Sequence, residues 1–229
     1  MPTPIGNLED ITLRAVRVLK ESDAIICEDT RQTIKLLNHF EIQKPLVSFY
    51  TYNQQRRIPG LIDGLLSGKN FALVSDSGTP GISDPGFFLV AAAIKAGVPV
   101  VPLPGPNAAI TALVASGLPT HNFIFLGFLR KKPGKMKKEL KKASASGATV
   151  IFYESPHRIR KTMALCAGIF PNGTKTVLAR ELTKKFEEFS RGTLEEINKL
   201  LLSKEPIGEF VVLLSPADNE TETRGNDDD

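Results

Sequence analysis

Val74-Ser75-Asp76-Ser77-Gly78-Thr79-Pro80-Gly81-Ile82-Ser83-Asp84-Pro85-Gly86 is the stretch from which the fold is read. The apolar run Phe71-Ala72-Leu73-Val74, bounded by Gly68 and by turn residues, has the length of a buried strand. Phe87 to Ile94 reads as a helix, with Asp84 at the N-cap, Pro85 at the first helical position and Gly97 just past the last turn. The connection holds three glycines and two prolines, and it exceeds the roughly two to six residues usual between strand and helix. Strand, exposed loop backbone and helix are what open α/β sheets present at ligand sites, beyond the carboxyl ends of their strands. The same residues also suit a tightly turned connection in which Asp84 is only a cap.

Working outward toward the N-terminus, Asn7 caps a helix whose apolar stripe is Leu8, Ile11, Ala15, Val18 and Leu19. Asp23 to Cys27 is a strand that runs into Glu28-Asp29-Thr30-Arg31, with a helix from about Gln32 to Phe40. Leu46 to Phe49 is the next strand, and Arg56 to Leu66 the next helix. Beyond the central stretch, Val98 to Pro102 reads as a strand at an edge, because its prolines cannot donate to a ladder. Pro104-Gly105-Pro106-Asn107-Ala108 then leads a small-residue helix that stops at Gly117. Strand and helix alternate throughout, which predicts a parallel sheet covered on its faces and a first domain over residues 1–118.

The second domain, residues 119–215, follows a different pattern. Strands are expected at Phe123–Leu126, Thr149–Tyr153, Thr176–Arg180, Phe186–Ser190 and Glu209–Leu214, with a helix from Ser155-Pro156 and a last helix begun by the capping-box spacing Thr193 to Glu196. A mixed α/β sheet follows, making the whole an α/β chain of two domains. Residues 216–229 carry six acids and one base, a net charge of −5, and are expected to be disordered. Since the whole chain is +4, the remainder carries +9, a balance suited to a polyanionic partner. Arg130 to Lys142 concentrates it, with eight bases and one acid in thirteen residues.

Several chemistries are excluded. No G-x-G-x-x-G or phosphate-binding P-loop is present, and no G-x-S-x-G elbow. His39, His121 and His157 have no ligand spacing, so no metal is expected. Cys27 and Cys166 read as reduced core residues, no apolar run is long enough for a membrane span, and the amino terminus lacks a signal-peptide pattern, so a cytoplasmic location is expected.

Six motifs occur in order: Thr3-Pro4-Ile5-Gly6-Asn7-Leu8-Glu9-Asp10-Ile11-Thr12, Cys27 to Arg31, Ser75 to Gly86, Pro104 to Ala108, Phe152-Tyr153-Glu154-Ser155-Pro156-His157-Arg158, and Ala179-Arg180-Glu181-Leu182-Thr183-Lys184. Together they resemble the ribosomal RNA branch of the tetrapyrrole (corrin/porphyrin) methylase superfamily, across nearly the whole chain up to Leu214. The resemblance implies S-adenosylmethionine as methyl donor, held in a cleft between two α/β domains of a homodimer. It implies as substrate the 2′-oxygen of a cytidine in the decoding region of 16S ribosomal RNA, free or in the small ribosomal subunit. By the same resemblance Pro4, Gly6, Asp76, Ser77, Gly78, Thr79, Ile82, Ser83, Gly105, Pro106 and Ala108 face the donor from the first domain, and Tyr153 and Ala179 from the second. Glycines permit the close approach of backbone to a ligand, and Asp76 can offset a sulfonium charge or merely bind its own turn.

Ribose methylation needs orientation of two reactants and, secondarily, a proton acceptor. Asp29 and Glu154, each beside the end of a strand, are the candidate bases, with a local ion-pair and capping role as the alternative for Asp29. Arg31 and Arg158 are candidate phosphate contacts, and Arg130, Lys131, Lys132, Lys135, Lys137 and Lys138 the candidate RNA surface. The family places an apolar strand ahead of Thr3 where only Met1 and Pro2 stand here, so a first sheet without its central strand is expected. Two other functions stay open at this point: a corrin or porphyrin methylase, and a non-catalytic RNA-binding assembly factor.

Overall fold

The computed structural model describes residues 1–215; the acidic segment expected to be disordered lies outside the described residues. The chain divides into two compact units, Met1–Asn107 and a second from Ala108 onward.

In the first unit, strands β1 (Ala24–Cys27), β2 (Leu46–Ser48) and β3 (Phe71–Leu73) form a parallel sheet in the order β2-β1-β3. The period of two in β1 divides its side chains between two cores. Ile25 and Cys27 pack with Leu19, Leu37 and Ala72 on one face, whereas Ile26 packs with Phe49, Leu61 and Leu89 on the other. Four helices supply Leu19, Leu37, Leu61 and Leu89 in turn: α1 (Leu13–Glu21), α2 (Thr30–His39), α3 (Gln54–Leu66) and α4 (Phe87–Lys95). Alongside β3, the Met1 amine donates to the Leu73 carbonyl at 2.6 Å. Thr3 continues that line with an antiparallel bridge to Gly78.

Three local expectations change here. Asn7 caps only a single 3-10 turn, Leu8–Asp10; Ile11 is extended, and α1 starts one residue after Thr12, whose hydroxyl accepts from Ala15 N–H at 3.0 Å. Helix α4 has Gly86, not Asp84, at its N-cap, with φ 152° and no side-chain cap. Val98–Pro102 forms no strand. Pro99 and Pro102 offer no N–H there, and Val101 is 73% exposed.

The second unit opens with α5 (Ala108–Ser116), which packs on strands of the second sheet; the division therefore falls before this helix and not at Leu118. That sheet contains β4 (Phe123–Phe128), β5 (Thr149–Glu154), β6 (Lys175–Arg180), β7 (Glu188–Thr193) and β8 (Phe210–Ser215) in the order β4-β5-β8-β6-β7. Because β8 is antiparallel to both β5 and β6, and β4 is parallel to β5, strands β4, β5 and β6 all point the same way. Their carboxyl ends share one edge of the sheet. Helices α6 (Pro133–Ser144), α7 (Ile159–Ala167) and α8 (Leu194–Ser203) bury Met136, Leu140, Ile159, Met163 and Ile197 against Val150, Phe152, Leu178 and Val212. Cys27 and Cys166 are both buried and unpaired with any sulfur, and burial pushes the Cys166 thiol up to about 12. Strand β7 begins at Glu188, two residues later than expected, which leaves Phe186 in a turn.

At the start of α8 the capping box is complete: Thr193 Oγ1 accepts from Glu196 N–H and the Glu196 carboxylate accepts from Thr193 N–H. Thr193→Ala is expected to lower stability by about 1 kcal/mol, read from the urea midpoint of unfolding at unchanged slope.

Candidate active site

Parallel strands deliver their following loops to one edge, and the first unit uses this to gather three segments. Thr3 and Gly78 exchange backbone hydrogen bonds of 2.9 and 3.1 Å. Thr3 Oγ1 donates to Ser75 O, Ser75 Oγ donates to Gly78 O, and Thr79 Oγ1 donates to Pro106 O, at 2.9–3.0 Å. The segments touch so closely that a side chain at either of two glycines would be crowded. A Cβ on Gly78 would lie 3.3 Å from Ile5, and one on Gly105 would lie 2.9 Å from Pro2. Gly78, Gly81 and Gly86, with φ of 79°, 81° and 152°, and Ser83 at 68°, turn the backbone through the left-handed region. The three loops that carry Pro4, Gly6, Asp76, Ser77, Gly78, Thr79, Ile82, Ser83, Gly105 and Pro106 meet through these bonds as a cradle of loop backbone, and Gly6, Asp76, Ser77, Ile82, Ser83 and Gly105 are exposed in them.

Carboxylates ring this cradle. The Asp76 carboxylate accepts from Asp29 N–H at 3.0 Å and ties the end of β1 to the loop after β3. Asp29 caps α2 by accepting from Arg31 N–H at 2.9 Å, and its carboxylate meets the Arg31 guanidinium at 2.6 Å. Hydrogen bonds from Arg31 hold the Asp29 carboxyl at about 2. A carboxylate so stabilised is a weak proton acceptor. Asp84, released from capping, makes no hydrogen bond or ion pair among the described residues. Burial, followed by the charges of Glu28 and Asp76, raises it to about 6. Glu28 is raised as well, chiefly by burial. Sequence reading missed both: Glu28 was visible as the first residue after β1, but Asp84 was masked by a plausible cap.

In the second unit, Glu154 is 2% exposed at the end of β5. Its carboxylate accepts from Ser155 N–H at 2.8 Å and from Thr162 Oγ1 at 2.7 Å, and pairs with Arg158 at 3.2 Å. Every bond is local, and together they orient Arg158, which also donates to Leu129 O at 3.0 Å. The Tyr153 hydroxyl accepts from Ala109 N–H at 3.2 Å, in the first turn of α5 after Ala108, and its ring packs edge-on against Phe125 and Phe128. Ala179 is wholly buried in β6, between Phe189 of β7 and Val211 of β8. On α6, Met136, Leu140 and Ala143 face the core, while Lys131, Lys132, Lys135, Lys137 and Lys138 are exposed. A cavity of about 230 Å³ between β6, β7 and the end of α8, lined by Arg180, Glu188, Leu201 and Ile207 among others, contains none of the expected site residues.

Asp84 binds its proton more tightly folded than unfolded, so its contribution to stability falls as pH rises from about 4 to about 6 and stays absent above. Asp84→Asn is expected to stabilise the protein at pH 8 by roughly 1 kcal/mol, below the full value of the shift because the group remains partly open to solvent. The gain should fade toward pH 4 in thermal unfolding followed across that range.

Comparison with known proteins agrees with this architecture. Residues 2–198 match the family of Tetrapyrrole (Corrin/Porphyrin) Methylases. Relatives named ribosomal RNA small subunit methyltransferase I include one from Halalkalibacterium halodurans, 51% identical over 93% of this chain and 73% of its own length. Another from Bacillus subtilis is 48% identical over 96% and 75%, and a third from a Hydrogenobaculum species is 49% identical over 94% of both chains. The crystal structure of diphthine synthase shares the fold at a TM-score of 0.70 and 14% identity, over 93% of this chain and 87% of that one. The methyltransferase CobJ shares it at 0.67 and 22%, over 93% and 90%. With its parallel-strand loops, mixed second sheet and near full-length match, the chain belongs to the tetrapyrrole (corrin/porphyrin) methylase family.

Proposed function

We propose that this protein is an S-adenosylmethionine-dependent methyltransferase acting on the 2′-oxygen of a cytidine in the decoding region of 16S ribosomal RNA. The substrate class follows the names of its relatives, and the observation that carries it in this chain is the lysine face of α6. Lys131, Lys132 and Lys135 crowd the positive end of that helix, where cations are disfavoured, and no acid pairs with them among the described residues. Such a charge distribution suits a phosphate backbone. Arg130 and Arg158 extend it; Arg31 is already engaged by Asp29.

The cradle around Gly78 fits the donor. Its glycines admit close contact, and Glu28 and Asp76 supply negative charge near a cationic sulfur. When bound, S-adenosylmethionine supplies the electrophilic methyl group. This chain's residues hold the nucleoside against loop backbone, position the RNA, and accept the ribose proton. Asp84 is the carboxylate best matched to that last task at neutral pH, since Asp29 is held near 2 and Glu154 is committed to Ser155, Thr162 and Arg158. A homodimer accompanies the reading: Phe87, Phe88, Ala91 and Ile94 leave one side of α4 apolar and exposed, a surface that a second copy would cover.

Incubation of the protein with labelled donor and small subunits lacking the modification is expected to place the label on a ribose of 16S ribosomal RNA; label on a base, or none, overturns the proposal. Asp84→Asn should lower kcat by roughly 10²–10⁴-fold at unchanged donor affinity. Replacing Lys131, Lys132, Lys135 and Lys138 with Gln should weaken RNA binding and reduce its salt slope by about 0.7–0.9 for each phosphate no longer neutralised, at unchanged thermal stability.

A further inference from the structure

The turn between β6 and β7 carries features that neither donor binding nor the lysine helix requires. Glu181 and Thr183 adopt φ of 51° and 63° without being glycine, and the Thr183 Oγ1 is buried with no hydrogen-bond partner among the described residues. Left-handed backbone is rare for a β-branched residue such as Thr183, and a buried unpaired hydroxyl adds to the cost. Many bonds hold the turn in place. Glu181 N–H donates to Glu209 O, the Glu181 carboxylate accepts from Glu209 N–H and Lys184, and the Glu187 carboxylate accepts from Thr183 N–H at 2.6 Å. Leu182 anchors the turn in the interior, whereas Phe186 stands 65% exposed with the Lys185 ammonium 5.6 Å from its ring centre.

A single exposed phenylalanine is ordinary. A rigid, strained turn that holds an aromatic ring in solvent beside a free-standing cation calls for a partner. Topology supplies its direction. The turn leaves β6 at the edge from which Arg130 leaves β4, three strand spacings or about 14 Å across the sheet, and at which Arg158 follows β5, two spacings or about 10 Å away. Ring and cation together suit a flat base and its neighbouring phosphate.

We infer that Phe186 is a stacking platform for an unpaired base of the substrate RNA, with Lys185 meeting an adjacent phosphate. The inference rests on the reading of the protein as an RNA methyltransferase, and makes Phe186 a positioning residue. Reaching a ribose hydroxyl in folded RNA requires local unstacking, and an aromatic surface replaces part of the stacking given up.

The test compares wild type with Phe186→Ala, Phe186→Leu and Phe186→Trp in the full chain. A single-stranded RNA oligonucleotide containing 2-aminopurine reports stacking by fluorescence quenching, and methyl transfer to small subunits reports KM and kcat. The Ala and Leu variants should bind the oligonucleotide roughly 5- to 100-fold more weakly, abolish quenching and raise KM, with kcat and melting temperature near wild type. Phe186→Trp should restore all three. Wild-type affinity and quenching in Phe186→Leu overturns the inference, as does a change in its sedimentation at unchanged RNA affinity, which assigns the ring to a protein interface. Wild-type protein that binds and quenches but transfers no methyl group refutes the enzymatic reading alone; wild type that binds no RNA refutes both.

Discussion

Two hydrogen bonds between the backbones of Thr3 and Gly78 hold the first unit's loop segments together. Without them the Thr3 Oγ1–Ser75 O bond would be left to tie the loop after β3 to the amino-terminal segment, and the Thr79–Pro106 bond would extend a looser frame. Glycine at 78 is favoured twice: by its left-handed backbone and by Ile5, whose side chain a Cβ would crowd at 3.3 Å. Small residues and turns here are therefore products of contact between distant segments. They are not signs of a flexible loop.

The carboxylates show how placement divides similar groups into different roles. Asp29 and Glu154 both follow strands, and both spend their oxygens locally, one on Arg31 and the other on Ser155, Thr162 and Arg158. Asp76 bridges two loops. Among the described residues Asp84 has no such partner, and its burial beside Glu28 and Asp76 disfavours charge. A group left in that state titrates near neutral pH, whereas a well-bonded one does not.

In the second unit the sheet itself organises function. An antiparallel β8 between β5 and β6 keeps those two strands parallel, so their following segments, with the one after β4, emerge together. Lysines of α6, the Glu154-oriented Arg158 and the strained Glu181–Glu187 turn thus line one edge, although the first and the last lie far apart along the chain.

The alternation of strand and helix, the Gly97 and Gly117 helix stops, the capping box at Thr193 and the run of bases from Arg130 to Lys142 were all legible in the sequence, because each depends on residues close together in the chain; that the basic run forms helix α6 was not. The loop from Ser75 to Gly86 was legible as a long, tightly turned connection between strand and helix for the same reason. What sequence could not give was the partner of each polar group. Asp84 looked like a cap until Gly86 took that position, Glu154 looked available until Thr162 and Arg158 closed around it, and Val98–Pro102 had strand composition without a ladder to join. Local pattern sets which conformations a segment favours, but a carboxylate's protonation and a strand's pairing depend on groups distant in the chain, and only the folded protein brings those into contact.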